Sequence, residues 1–74
     1  MAHERIQSRP DVMMGKPVIR GTRITVEHIL RKLSGGWSVQ DICTSYPHIK
    51  PEDVQAALDF AADNLAHPTV WAAE

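Results

Sequence analysis

The residue types best suited to chemistry lie in one short run, residues 15–26, which reads Gly-Lys-Pro-Val-Ile-Arg-Gly-Thr-Arg-Ile-Thr-Val. A phosphate-binding P-loop needs a lysine directly after its second glycine, where a strand leads into a helix. Here the lysine follows the first glycine instead, so nucleotide binding is disfavoured. Glycine opens positive φ to the backbone and proline fixes φ, so the run favours a tight turn that joins short strands and leads into a helix. The residues expected to shape this turn are Gly15, Pro17 and Gly21.

Paired carboxylates are the other candidates for chemistry, at Glu52/Asp53 and at Asp59/Asp63. The first pair stands where a helix dipole favours negative charge, and the second has the i, i+4 spacing of a solvated helix face. No spacing in the sequence places a base near a nucleophile. We therefore expect no catalytic residues and no enzymatic activity.

Metal and thiol chemistry are also disfavoured. The four histidines are spread along the chain without ligand-like pairing, and the single cysteine, Cys43, lies in an apolar helical pattern. This predicts no metal, no cofactor, no internal disulfide and an inert thiol. The sequence shows no signal peptide, lipidation motif or apolar run of membrane-spanning length, which predicts a cytoplasmic protein with no membrane partner.

Three helices follow the glycine-rich run. The first begins after Thr25, a favourable N-cap, and stops at Gly35-Gly36. Ser38 caps the second, with a carboxylate three residues later to complete a capping box. The third has Pro51 as its first residue and should end near His67. The predicted core stripes are Val26/Ile29/Leu30/Leu33, Val39/Ile42/Cys43/Tyr46 and Val54/Ala57/Leu58/Ala61/Leu65.

The segment ahead of these helices lacks helical periodicity and predicts short β-strands, one at Arg5-Ile6-Gln7 and one or two between Val18 and Thr25. At 74 residues the chain is one domain, mainly α: a strand and turn segment (1–24), a three-helix, helix-turn-helix-like bundle (25–67) and a tail (68–74). Phe60 lies off the third stripe. It belongs either to a wider core face or to a subunit interface, and Trp71 in the tail poses the same question.

Charge divides the chain into two halves. Seven cations and three carboxylates give residues 1–32 a net charge of +4, whereas residues 33–74 carry −5. In a helix-turn-helix protein the third helix would read bases, but residues 51–65 are acidic and would be repelled by phosphates. The predicted partner- or DNA-binding residues are therefore the cations of the first segment: Arg5, Arg9, Lys16, Arg20 and Arg23.

These residues together resemble the "domain of unknown function 433" family. The resemblance rests on residues 15–26, on Gly36-x-Ser38-x-x-Asp41-Ile42 and on Tyr46-Pro47-x-Ile49-x-Pro51-Glu52-Asp53-Val54, and runs from about residue 6 to 62. It implies a homeodomain-like three-helix bundle preceded by short strands. It further implies an antitoxin role in bacterial toxin–antitoxin pairs whose toxin is a PIN-like ribonuclease. Lys50 departs from the pattern, because a capping Thr or Ser is usual there.

The leading hypothesis is a non-enzymatic, dimeric, antitoxin-like protein that occludes a PIN-like ribonuclease and also binds its own promoter. The alternatives are a stand-alone DNA-binding transcriptional regulator, or a homodimer whose only partner is itself. Short edge strands need something to pair with, so we expect a homodimer stabilised by the N-terminal segment. The expected interface residues are Ile6, Val18, Phe60 and Trp71.

Overall fold

The computed structural model describes residues 3–66. Two short strands, β1 (Ile6–Gln7) and β2 (Val18–Ile19), are followed by three helices, α1 (Val26–Ser34), α2 (Val39–Ser45) and α3 (Pro51–Leu65). A 3-10 turn at Met13–Gly15 lies between the strands. The mainly helical fold with a small N-terminal strand pair is therefore confirmed. No helix within residues 3–66 is long and apolar enough to cross a membrane.

The strands form an antiparallel pair in which Ile6 faces Ile19 and Gln7 faces Val18. Val18 also forms an isolated antiparallel bridge with Thr25, the residue that precedes α1. The backbone N–H of Val26 donates to the Pro17 carbonyl at 2.9 Å, so the N-terminal segment is joined directly to the first turn of α1.

Local capping explains the helix starts. The Thr25 hydroxyl accepts a hydrogen bond from the His28 N–H at 2.9 Å, as its N-cap position predicts. Ser38 and Asp41 form the predicted reciprocal capping box of α2, with distances of 2.9 and 3.0 Å. After α1, Gly36 takes a φ of +100°, the left-handed conformation expected behind a helix C-terminus.

The start of α3 is capped from inside the helix. A lysine side chain has no acceptor, and Lys50 at the N-cap makes no side-chain capping bond. Instead the Asp53 carboxylate accepts the Lys50 backbone N–H at 2.9 Å. Asp53 therefore supplies the cap that Lys50 lacks. The helix ends at Leu65, slightly before the predicted end near His67, which lies outside the described residues.

The core is aliphatic and small. Its buried side chains come from both strands, all three helices and the loop between α2 and α3, and six of the largest are fully buried. They are Val18, Ile19, Ile29, Ile42, Ile49 and Val54, with Ile6, Val26 and Ala57 also buried.

Two predicted interface residues require correction. Ile6 and Val18 are buried in the core of the same molecule, Val18 completely, so neither side chain offers surface to a second copy of this fold. The prediction rests on short edge strands needing something to pair with, but here each strand pairs with the other and packs on the helices. Trp71 lies outside the described residues.

Two of the predicted helix stripes are also wrong in part. Val39 on α2, and Leu58 and Leu65 on α3, are exposed. Helix α3 turns a different face inwards, with Asp53, Val54 and Ala57 buried. Phe60 is three residues beyond Ala57 on that face and packs partly buried against the core, the first of its two predicted placements.

Candidate functional site

The four residues Arg20, Gly21, Thr22 and Arg23 form a hydrogen-bonded reversal that we name the cationic turn. At its base the Ile19 N–H donates to the Ile24 carbonyl at 2.9 Å. The Thr22 side chain makes two hydrogen bonds inside the turn. Its hydroxyl donates to the Ile19 carbonyl at 2.8 Å and accepts from the Ile24 N–H at 3.0 Å. The chain reverses between these bonds through Gly21, whose φ is +80°.

The cationic turn is also fastened to β1. The Arg20 backbone N–H donates to the Arg5 carbonyl at 2.7 Å, and the Gly21 N–H donates to the Gln7 side-chain oxygen at 3.1 Å. The turn is thus held by backbone bonds and by the Thr22 and Gln7 side chains, and none of these hydrogen bonds uses its two arginine side chains.

The guanidinium groups of Arg20 and Arg23 project from this turn into solvent. Both residues are exposed, and within the described part of the chain neither side chain forms an ion pair or hydrogen bond. Their charges are therefore available to a partner without the prior loss of an internal contact.

The other three predicted contact residues are already engaged. Arg5 donates to Asp53 at 2.9 Å, Arg9 to Asp11 at 3.3 Å and Lys16 to Glu27 at 3.2 Å. The Arg9 and Lys16 pairs are exposed, so each contributes little to stability and can be exchanged for another carboxylate. Arg5 differs from Arg9 and Lys16 because its partner, Asp53, is buried.

Glu27 sits at the centre of a small charge network on α1. Its carboxylate accepts two hydrogen bonds from the Arg31 guanidinium, at 3.0 and 3.1 Å, and one from the Lys16 ammonium. The Arg31 hydrogen bonds first, and then the contact with Lys16, lower the pKa of the Glu27 carboxyl below its usual value. Lys16 is therefore already paired with α1, although this exposed contact can be exchanged for another carboxylate.

Two open clefts flank the cationic turn. One, of about 330 Å³, lies between Arg23 and the loop after α2, where Tyr46 and His48 contribute to its wall. The other, of about 320 Å³, is lined by Arg20 and Lys50 together with Glu4 and the Arg5–Asp53 pair. Lys50 thus extends the positive surface, and His48 borders it. The sequence places them more than 20 residues from the turn, and no local pattern links them to it.

The residues predicted to shape the segment take the expected conformations at two positions. Gly15 and Gly21 have φ values of +83° and +80°. Met13 and Met14 also have positive φ, which the sequence does not indicate because methionine rarely adopts it. Pro17 lies between the 3-10 turn and β2, where its carbonyl receives the Val26 N–H.

The acidic residues of the part of the chain that the structure describes do not assemble into a metal site. Within residues 3–66, no group of three or more His, Cys, Asp or Glu side chains is placed to hold a metal ion. Glu52, Asp59 and Asp63 are exposed on α3, and Asp63 contacts His3 at 2.9 Å. The outer face of α3 is therefore negative, whereas the cationic turn and the loop beside it are positive.

Comparison with known proteins agrees with this architecture. A crystal structure of a DUF433 member protein from Anabaena variabilis ATCC 29413 superimposes with a TM-score of 0.78 and 32% identity, covering 81% of this chain and 59% of that one. An uncharacterized protein, y4eO, from Sinorhizobium fredii (strain NBRC 101917 / NGR234) is 33% identical over 63 residues, or 85% of this chain. The chain spans only 28% of that relative's length. The family profile "Protein of unknown function (DUF433)" matches residues 6–61, and the chain belongs to this family.

Proposed function

We propose that this protein is a non-enzymatic, antitoxin-like binding protein that neutralises a PIN-like ribonuclease by placing the cationic turn in its active site. The observation that carries the proposal is the pair of unengaged guanidinium groups, Arg20 and Arg23, on a turn fixed by backbone bonds. In this role the protein acts in the cytoplasm, as a homodimer, and needs no cofactor.

The chemistry of the partner explains why arginine suits this task. A PIN-like nuclease holds Mg²⁺ with a cluster of carboxylates, which is strongly negative when the metal is absent. An arginine presents a planar fork of donors that matches a carboxylate in a bidentate contact. Two such groups on one turn can replace the metal charge and block the substrate at the same time.

The rigidity of the turn supports the same role. Binding that must order a flexible loop loses part of its free energy to that ordering. Here Thr22 and Gln7 hold the turn in place before any partner arrives, so only the two arginine side chains remain to be ordered.

Co-expression with the product of the neighbouring gene tests the proposal. Each charge-assisted hydrogen bond contributes about 1.5–3 kcal/mol, so the double variant R20Q/R23Q should bind at least about a hundredfold more weakly and fail to suppress toxicity. R9Q is the matched control, because Arg9 is an exposed arginine of the same segment with an exchangeable partner. If no complex forms with the native chain, or if R20Q/R23Q binds like R9Q, the proposal is wrong.

A second candidate function is DNA binding through the same surface. It is favoured by Lys50, which lies beside the cationic turn and widens its positive field. Helix α3 would not read bases, because its exposed side carries Glu52, Asp59 and Asp63. A salt titration of duplex binding separates the two functions. Each phosphate neutralised should contribute about −0.9 to the slope of log K against log salt. A slope near zero excludes DNA.

A further inference from the structure

The cleft of about 330 Å³ between the cationic turn and the loop after α2 has apolar walls beside a guanidinium group, and we name it the apolar cleft. Its apolar lining consists of the Ile24 side chain, the Tyr46 ring and the Pro47 ring, and Arg23 and His48 also line it. This volume is at the lower end of the range for ligand pockets. The apolar cleft therefore fits one large side chain rather than a whole element of a partner.

Two side-chain hydroxyls at the apolar cleft are already hydrogen-bonded within the molecule. The Thr22 hydroxyl donates to the Ile19 carbonyl and accepts from the Ile24 N–H. The Tyr46 hydroxyl forms a hydrogen bond of 2.7 Å with the His28 ring. A polar occupant would lose its hydration without gaining a bond from either hydroxyl. The walls to which they belong therefore offer a ligand apolar contact.

The same walls are held in place by the fold. The Tyr46 ring contacts the His28 ring edge to face, with 5.5 Å between the ring centroids. Tyr46 and Ile24 are partly buried and pack against the core. Behind them the buried residue Ile49 donates its N–H to the Tyr46 carbonyl at 2.8 Å, which fixes the loop. A preformed cleft lets the burial of a side chain contribute to affinity without the cost of ordering the walls.

The charges beside the apolar cleft indicate what accompanies this side chain on the partner. Arg23 lines the apolar cleft itself, and Arg20 and Lys50 line the cleft on the other flank of the cationic turn. Guanidinium and ammonium groups pair with carboxylates, which the proposed partner carries in its active site. An apolar side chain next to carboxylates is therefore the partner chemistry that complements this surface.

We propose that the apolar cleft receives one apolar side chain of the ribonuclease partner, of leucine to phenylalanine size, from beside the carboxylates that Arg20 and Arg23 contact. This inference rests on the proposed function and adds the source of its specificity. Carboxylates are the shared feature of such active sites, so charge alone accepts any of them. An apolar side chain discriminates, because a partner that lacks it leaves the apolar cleft unfilled or brings a group that does not fit.

Two neighbouring residues of α2 provide matched variants. Ser45 lines the apolar cleft, whereas Thr44 is equally exposed and does not line it. S45F fills the apolar cleft, and T44F adds the same ring outside it. Burial of one large apolar side chain is worth at least about tenfold in affinity. The S45F variant should therefore bind the product of the neighbouring gene at least about tenfold more weakly than T44F does.

Rate constants separate this effect from that of the charges. The arginines act during encounter, so R20Q/R23Q should lower the association rate constant and its dependence on salt. S45F should instead raise the dissociation rate constant and leave the salt dependence unchanged. If R20Q/R23Q weakens the complex while S45F and T44F bind equally, this inference is wrong and the proposed function stands. If the native chain forms no complex, both are wrong.

A second variant keeps the inference testable if S45F disturbs folding. P47A removes part of one wall at an exposed position and should weaken the complex several-fold, so native affinity in P47A overturns the inference. Two other occupants would give different results, and either result overturns it. If S45F weakens duplex DNA binding but not the protein complex, the occupant is a nucleobase. If S45F converts a dimer into a monomer in light scattering, the occupant is a side chain of a second copy.

Discussion

Replacement of Asp53 by alanine should destabilise this protein more than any other single carboxylate change on α3. The Asp53 side chain is only 8% exposed, and both of its oxygens are used. One accepts from the Arg5 guanidinium at 2.9 Å, and the other accepts from the Lys50 backbone N–H at 2.9 Å. The D53A variant removes both contacts and leaves the helix without its cap.

The magnitude follows from these two contacts. Loss of an N-terminal cap costs about 1 kcal/mol. The bond to Arg5 is charge-assisted, but the arginine side chain is 48% exposed, so we reduce its contribution to about 1–1.5 kcal/mol. The expected total is about 2–2.5 kcal/mol, which for a domain of this size lowers Tm by roughly 10–20 °C.

Urea and thermal denaturation followed by circular dichroism measure this loss. D59A is the matched control, since Asp59 lies on the same helix but is exposed and, among residues 3–66, accepts only from Gln55. We expect it to change stability by less than about 0.5 kcal/mol. A double-mutant cycle with R5A and D53A should give a coupling of about 1 kcal/mol. If D53A and D59A were equally mild, or the cycle showed no coupling, the role assigned to Asp53 would be refuted.

Three further predictions concern separate contacts. The Arg31 hydrogen bonds lower the pKa of Glu27, so its stabilising effect is present above the unfolded-state pKa and is lost as the pH falls towards the folded pKa. The free energy of unfolding of E27Q, measured between neutral and acidic pH, should therefore lack this part of the native protein's pH dependence. An equal pH dependence in E27Q and the native protein would contradict the charge network around Glu27. G21A should cost about 1–2 kcal/mol in denaturation experiments, because the added Cβ meets no atom within 4 Å and only the φ of +80° opposes it. Y46F removes the 2.7 Å hydrogen bond with His28 and should cost about 1 kcal/mol, whereas an unchanged midpoint would show that solvent replaces the bond.

Features set by nearby residues could be predicted from the sequence. Thr25, Ser38 and Pro51 mark the helix starts, and Gly36 marks the end of α1, because caps and positive φ depend only on neighbours a few residues away. The turn at Gly21 belongs to the same class, since its conformation is a property of four consecutive residues.

Features set by distant residues could not be predicted. The sequence predicts Asp53 only as a partner of the α3 helix dipole, but the residue is buried and pairs with Arg5, 48 residues earlier. The apolar residue Leu58 was expected in the core, yet it is exposed because α3 is rotated so that Ala57 and Phe60 face the other helices. In the candidate site, the position of Lys50 could not be predicted for the same reason, because only the tertiary fold brings it beside the cationic turn.

The position of Thr25 has a consequence for local opening of the fold. Its backbone bridges to Val18 of β2, its hydroxyl caps α1, and the residue is buried. Displacement of Thr25 therefore breaks a strand contact and a helix cap together. Opening of the N-terminal strands and fraying of the first turn of α1 are thus one event rather than two.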